Sequence, residues 1–188
     1  MGNKQTLSQQ EINELCQETN FTPKDLKRIY KRFQRLDFFK RGYVTVNDLM
    51  TIPDIDKNPL GERICKTFTA QASGGQNGVH DKNMIDFKEF VRALSIFNDK
   101  QTQQQNQQQN SEEEKIRFLF NVYDIDSDGL ISQEELKQVL KQLVGTSLSD
   151  LQLQDIVEKT IQDLDQDGDG KLKFEEFKRI FNNNNFDL

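Results

Sequence analysis

The chain has 188 residues, 34% of them hydrophobic and 30% charged, with a formal net charge of -6, so it is polar yet long enough to bury a core as one compact unit or two small lobes. The acidic balance argues against nucleic-acid binding, which calls for a basic face toward phosphates. No apolar run approaches the roughly 18 residues of a membrane span, and Cys16 and Cys65 form no CxxC pair, so a soluble cytoplasmic chain with free thiols is expected.

In chain order, the segment Met1-Gly2-Asn3-Lys4-Gln5-Thr6 fits the N-myristoylation pattern, with Gly2 as amine acceptor once Met1 is removed. One acyl chain binds membranes only marginally, so Gly2 would carry a reversible anchor or a packed structural element. Residues 1–22 read as this motif and a leading helix. A first pair of helix–loop–helix units then fills 23–98. Ile29, Phe33 and Leu36 recur at helical spacing and lead into loop 37–48. Phe90, Leu94 and Phe97 lead out of a second loop ending at Glu89. The stretch 99–114 is dominated by Gln101–Asn110 without an apolar residue, and reads as a flexible inter-lobe linker.

The second pair occupies 115–188. Ile116, Leu119, Phe120 and Tyr123 precede loop 124–135, and Leu136, Val139, Leu140 and Leu143 follow it. Val157, Ile161 and Leu164 precede loop 165–176, and Phe177, Ile180 and Phe181 follow it. Aligning the loop-centre aliphatic residues Val44, Ile85, Ile131 and Leu172 gives separations of 41, 46 and 41, the signature of two pairs with a looser join.

Calcium takes roughly six to eight hard oxygen ligands, which a 12-residue loop supplies from positions 1, 3, 5, 7, 9 and 12, with glycine at the sharp turn of position 6. In loop 124–135 the expected ligands are Asp124, Asp126, Asp128, the Leu130 carbonyl and a bidentate Glu135. In loop 165–176 they are Asp165, Asp167, Asp169, the Lys171 carbonyl and Glu176. Lys173 at position 9 offers no oxygen, so its ammonium is expected to swing outward and leave water to complete the shell. Two calcium ions are therefore predicted. The earlier loops have lost this chemistry. Phe39 and Arg41 stand at positions 3 and 5 of loop 37–48, where a cation repels calcium, and Gly78, His80 and Lys82 stand at positions 1, 3 and 5 of the second loop. His80, the only histidine, reads as a loop-surface residue. With no catalytic constellation among the remaining residues, the chain is not expected to be an enzyme. The fold expected is all-α: four EF-hands in two paired lobes, with two-residue β-bridges between paired loops.

The layout resembles the calcineurin B homologous proteins, as do Gln17-Glu18-Thr19-Asn20-Phe21-Thr22, Ile29-Tyr30-Lys31-Arg32-Phe33, Ile52-Pro53, Asn58-Pro59-Leu60-Gly61-Glu62-Arg63-Ile64 and Gln162-Asp163-Leu164-Asp165-Gln166-Asp167-Gly168-Asp169. Calcineurin B is a close relative by Phe87-Lys88-Glu89-Phe90 and by Gln138-Val139-Leu140-Lys141 to Val144-Gly145. The two degenerate loops and the polar insert favour the homologous proteins. The resemblance implies an N-myristoylated regulatory subunit that clasps an amphipathic helix of a client, foremost the cytoplasmic tail of a Na⁺/H⁺ exchanger. The alternatives are the B-type regulatory partner of a calcineurin-like phosphatase and a calcium buffer. The Gln-rich stretch and the tail Asn182–Asn185 do not match the family.

Overall fold

The computed structural model describes residues 7–73, 83–98 and 105–182. α1 (Gln9–Thr19) and α2 (Pro23–Leu36) open the described chain. Each starts on a reciprocal cap: the Ser8 hydroxyl accepts from the Glu11 amide while the Glu11 carboxylate accepts from Ser8, and Thr22 and Asp25 repeat the arrangement. Pro23 takes the first helical position of α2, where its missing N–H would have had no partner. Then come β1 (Tyr43–Thr45), α3 (Val46–Met50), α4 (Pro53–Asp56), α5 (Gly61–Ser73), β2 (Met84–Asp86) and α6 (Phe87–Ser95). Gly61 has no room for a side chain, because a Cβ would collide with the Ile55 carbonyl oxygen. Glycine thus lets α4 pack against the start of α5.

The second half holds α7 (Gln105–Tyr123), β3 (Leu130–Ile131), α8 (Gln133–Val144), α9 (Asp150–Leu164), β4 (Leu172–Lys173) and α10 (Phe174–Asn182). Of the stretch 99–114 expected as an inter-lobe linker, residues 99–104 lie outside the described residues, and from Gln105 onward it forms the first part of α7. Glutamine and glutamate lose little rotamer freedom in a helix, and they extend one anchored downstream by buried Phe118, Phe120 and Val122. Among the described residues no helix is long and apolar enough to cross a membrane.

The strands join the loops in pairs. β1 and β2 run antiparallel with Val44 opposite Ile85, and β3 and β4 with Ile131 opposite Leu172. The four residues that aligned the repeats are therefore partners across two small sheets, each at most 1% exposed. The second bridge has the expected two residues per strand and the first has three.

Each pair closes on its own core. Leu15, Leu26, Phe33, Val44, Ile85, Phe90 and Val91 pack together in the first, and Phe120, Ile131, Val157, Ile161, Leu172 and Phe177 in the second. Each such side chain contributes about 1.5–3 kcal/mol by leaving water. A third cluster joins the halves: Leu60 from the α4–α5 connection meets Phe118 and Val122 of α7 and Val139 of α8, flanked by Ile64 and Phe68. Phe97, just past α6, adds an edge-to-face contact with Phe118 at 5.1 Å. Both cysteines are free thiols. Burial pushes the Cys65 thiol up to about 11, which keeps it unreactive at neutral pH.

Candidate metal centres

Loop 124–135 is set by its own backbone. Asp124 follows the last turn of α7, its amide donating to the Phe120 carbonyl at 2.9 Å. Its two carboxylate oxygens accept from the amides of Asp128 (3.1 Å) and Gly129 (3.0 Å). Asp126 accepts from the Asp128 amide at 3.0 Å, and Asp128 from the Leu130 amide at 2.8 Å. Gly129 turns at φ 86, a region that suits a residue without Cβ. Glu135 closes the ring from the other side. One oxygen accepts from the amides of Ile125 (2.7 Å) and Asp126 (3.2 Å), the other from the Ser132 amide (2.9 Å) and hydroxyl (2.7 Å). Positions 9 and 12 thus also form the cap of α8. The same pairing caps α3 through Thr45 and Asp48, and α6 through Asp86 and Glu89.

The electrostatics favour a cation. Burial raises the Asp124 pKa, the charges of Glu135 and Asp128 add to the rise, and the Gly129 and Ser127 amides oppose it. For Glu135 burial also pushes upward, but hydrogen bonds from Ser132, Asp126 and Ile125 outweigh it and leave the carboxyl below its ordinary value. Carboxylate oxygens of Asp124, Asp126 and Asp128 lie within 4.8 Å of one another, as do those of Asp165, Asp167 and Asp169. Two clusters of hard oxygen donors, each at the head of a 12-residue loop with a glutamate reaching back, fit a divalent ion of calcium's size.

Loop 165–176 repeats the pattern. Asp165 accepts from the amides of Gly168 and Gly170 (2.8 Å each), Asp169 from that of Lys171 (2.9 Å), and Glu176 from those of Gln166 and Lys173 (2.8 Å each). Lys173 lies close to the acids of its own loop, its ammonium bridging Asp167 and Asp169, the latter at 3.1 Å. Those carboxylates raise its pKa, so it stays charged. The inward turn follows from charge: with two carboxylates in reach, the ammonium gains more there than in open water. Lys171 reaches across to Asp128 of the neighbouring loop at 3.3 Å. Lys173→Ser is expected to tighten calcium binding at this loop several-fold, because it removes a tethered competitor and restores a position 9 oxygen. Calorimetric titration against the unaltered chain checks this.

Loop 37–48 carries its own cation. The Arg41 guanidinium reaches inward to Asp37 at position 1 (3.8 Å) and pairs with Asp48 at position 12. It also lies 4.9 Å from the Tyr43 ring centroid and 5.5 Å from that of Phe39. Asp37 still accepts from the amides of Arg41 (2.8 Å) and Gly42 (2.7 Å), as in the competent loops. Arg41 therefore does more than repel calcium, since it neutralises the two acids that remain. Arg41→Ala should destabilise the first lobe by about 1–2 kcal/mol, with no recovery on adding calcium, as followed by thermal unfolding in chelator and in calcium. Gly78, His80 and Lys82 of the second loop, and Gly2, lie outside the described residues.

One residue at this site carries no local signal. Arg63, on α5, donates from Nε to the Val122 carbonyl (3.1 Å) and from Nη2 to those of Asn121 and Asp124 (3.0 Å each). It ties the first lobe to the last carbonyls of α7, including that of the first residue of loop 124–135. The Asn58–Ile64 stretch resembled a family in sequence, but nothing in it foretold a contact about 60 residues away.

Two models of an EF-hand domain pair match the chain, over residues 113–182 and 81–143. The calcineurin B protein of Naegleria gruberi is 42% identical over 177 residues, covering 94% of this chain and 90% of that protein. That of Candida glabrata is 44% identical over 167 residues, covering 89% and 85%. The human type 2 calcineurin B protein is 41% identical over 167 residues, covering 89% and 86%.

Proposed function

The chain belongs to the calcineurin B family of EF-hand proteins, and from that premise we propose that it is the calcium-binding regulatory subunit of a protein phosphatase. It is a regulatory rather than a catalytic chain, and its acidic loops belong to a calcium-binding fold. The observation that carries the reading is the identity of about 40% to calcineurin B proteins along almost the whole chain. These relatives favour a phosphatase catalytic subunit as client over the exchanger tail that the resemblance to the homologous proteins implied.

Two ions are bound in this reading. Asp124, Asp126, Asp128, the Leu130 carbonyl and Glu135 hold one, and Asp165, Asp167, Asp169, the Lys171 carbonyl and Glu176 hold the other. The clustered carboxylates and the inward-facing glutamates support it. The first lobe serves as a metal-independent half that grips. Exposed apolar side chains on both halves, among them Phe97, Leu119, Leu143 and Ile156, are available to an amphipathic partner helix. Gly2, if acylated, would add reversible membrane contact to a cytoplasmic protein. The test is affinity purification from the native cell with and without calcium. A bound phosphatase chain whose calcium-dependent activity returns on adding this protein is expected, whereas recovery of a transporter tail without phosphatase activity overturns the assignment.

A further inference from the structure

The net charge conceals a strongly basic helix. α2 carries Lys24, Lys27, Arg28, Lys31, Arg32 and Arg35 against one acid, Asp25. At 3.6 residues per turn, Lys24, Lys27, Arg28, Lys31 and Arg35 share the face opposite buried Leu26 and Phe33. All six cations are exposed, and among the described residues none forms an ion pair. Lys24, Lys27, Arg28 and Lys31 border one surface recess. Phe38 and Phe39 follow directly on the end of this helix, 79% and 73% exposed, in edge-to-face contact with each other at 5.4 Å. Exposed aromatic neighbours on a loop that binds its own arginine have no role in the calcium chemistry.

We propose that this end of the molecule docks on anionic lipid bilayers, α2 lying along the headgroups while Phe38 and Phe39 enter the interfacial layer. Charge complementarity brings the six free cations to acidic headgroups. The aromatic pair gains by leaving water at the depth where amphipathic anchors settle. A nucleic acid is a poorer occupant. The two rings are nearly perpendicular (88°), so they offer no parallel platform for successive bases, and a long polyanion would also meet the acidic remainder of the chain. A bilayer touches one face only. Arg41 supplies the rigidity, because its pairing with Asp37 and Asp48 holds the loop without metal.

The face operates independently of the phosphatase reading and of acylation at Gly2, so the test uses the full chain made without acylation. Sedimentation with phosphatidylcholine vesicles, with and without phosphatidylserine, should show binding only to the anionic ones, weakening as salt rises. Phe38→Ser with Phe39→Ser, and separately Lys27→Gln with Arg28→Gln and Lys31→Gln, should each reduce that binding about tenfold or more. Both variants should keep the unaltered unfolding temperature and calcium titration. Absent binding, equal binding to neutral vesicles, or indifference to both variants overturns the proposal. So does a single-stranded nucleic acid bound more tightly than the anionic vesicles, or a dimer in solution that the phenylalanine variant abolishes, which would make a second copy the occupant.

Discussion

Replacing Arg63 by methionine is expected to destabilise the folded chain by about 3 kcal/mol and to weaken calcium binding at loop 124–135. The last carbonyls of a helix have no partner inside it and carry the negative end of its dipole. At the end of α7 that need is met by a guanidinium from the other lobe, through three hydrogen bonds of 3.0–3.1 Å. Hydrogen bonds to a charged group contribute about 1.5–3 kcal/mol each, and those sharing one side chain do not add in full. Burial lowers the Arg63 pKa, while the nearby charges of Asp124 and Glu135 raise it. Methionine preserves much of the apolar contact and isolates the polar loss, leaving Thr67 alone to reach the Asn121 carbonyl, at 3.4 Å. Denaturant unfolding followed by probes in each lobe should change from coincident to separated transitions, because the clamp joining the halves has gone. A coincident, unshifted transition with unchanged calcium affinity would show that the apolar cluster of Leu60, Phe118, Val122 and Val139 suffices.

The second large effect concerns the glutamates that close the competent loops. Glu135→Gln should weaken calcium binding at loop 124–135 on the order of a hundredfold, about 2.7 kcal/mol, and Glu176→Gln should do the same at loop 165–176. A neutral amide loses both the charge and one of the two ligating oxygens. Glutamine is also a competent third residue of a capping box, so α8 should keep its start and the loss should fall on the metal alone. Calorimetry on the single variants should each time remove one tight site and spare the other, and the double variant should show no saturable tight binding. Unchanged titrations would refute the ligand assignment.

How far these features can be read in the sequence depends on the distance over which each is decided. The ligand positions of both competent loops, the glycine at their turn and the capping pairs depend on residues within about a dozen positions. Side-chain spacing alone is enough to propose them. The pairing of Val44 with Ile85 and of Ile131 with Leu172 was implicit in the repeat, because equivalent positions in two similar units meet across a local two-fold arrangement. The helical start of α7 was half legible: glutamine permits a helix, yet a polar run without an apolar face gives no sign of being drawn into one from downstream.

What composition concealed was direction. Net charge summed the basic helix α2 into an acidic total, although the cations were there to be counted along one face. Arg41 and Lys173 were recognised as cations at ligand positions, but their type could not say which way they would turn. In the folded loops each lies within reach of two carboxylates held by backbone amides, and attraction at that range decides for the inward pose. Arg63 lies further from any local rule. Its partners sit 58, 59 and 61 residues along the chain, and only the packing of α5 against α7 brings a guanidinium to that helix end. The acidic loops proposed to hold calcium were therefore legible in the sequence alone, since a metal site built from one short segment carries its geometry in its spacing. The coupling of those loops to the other lobe was decided by tertiary structure, since it depends on where two distant helices come to rest.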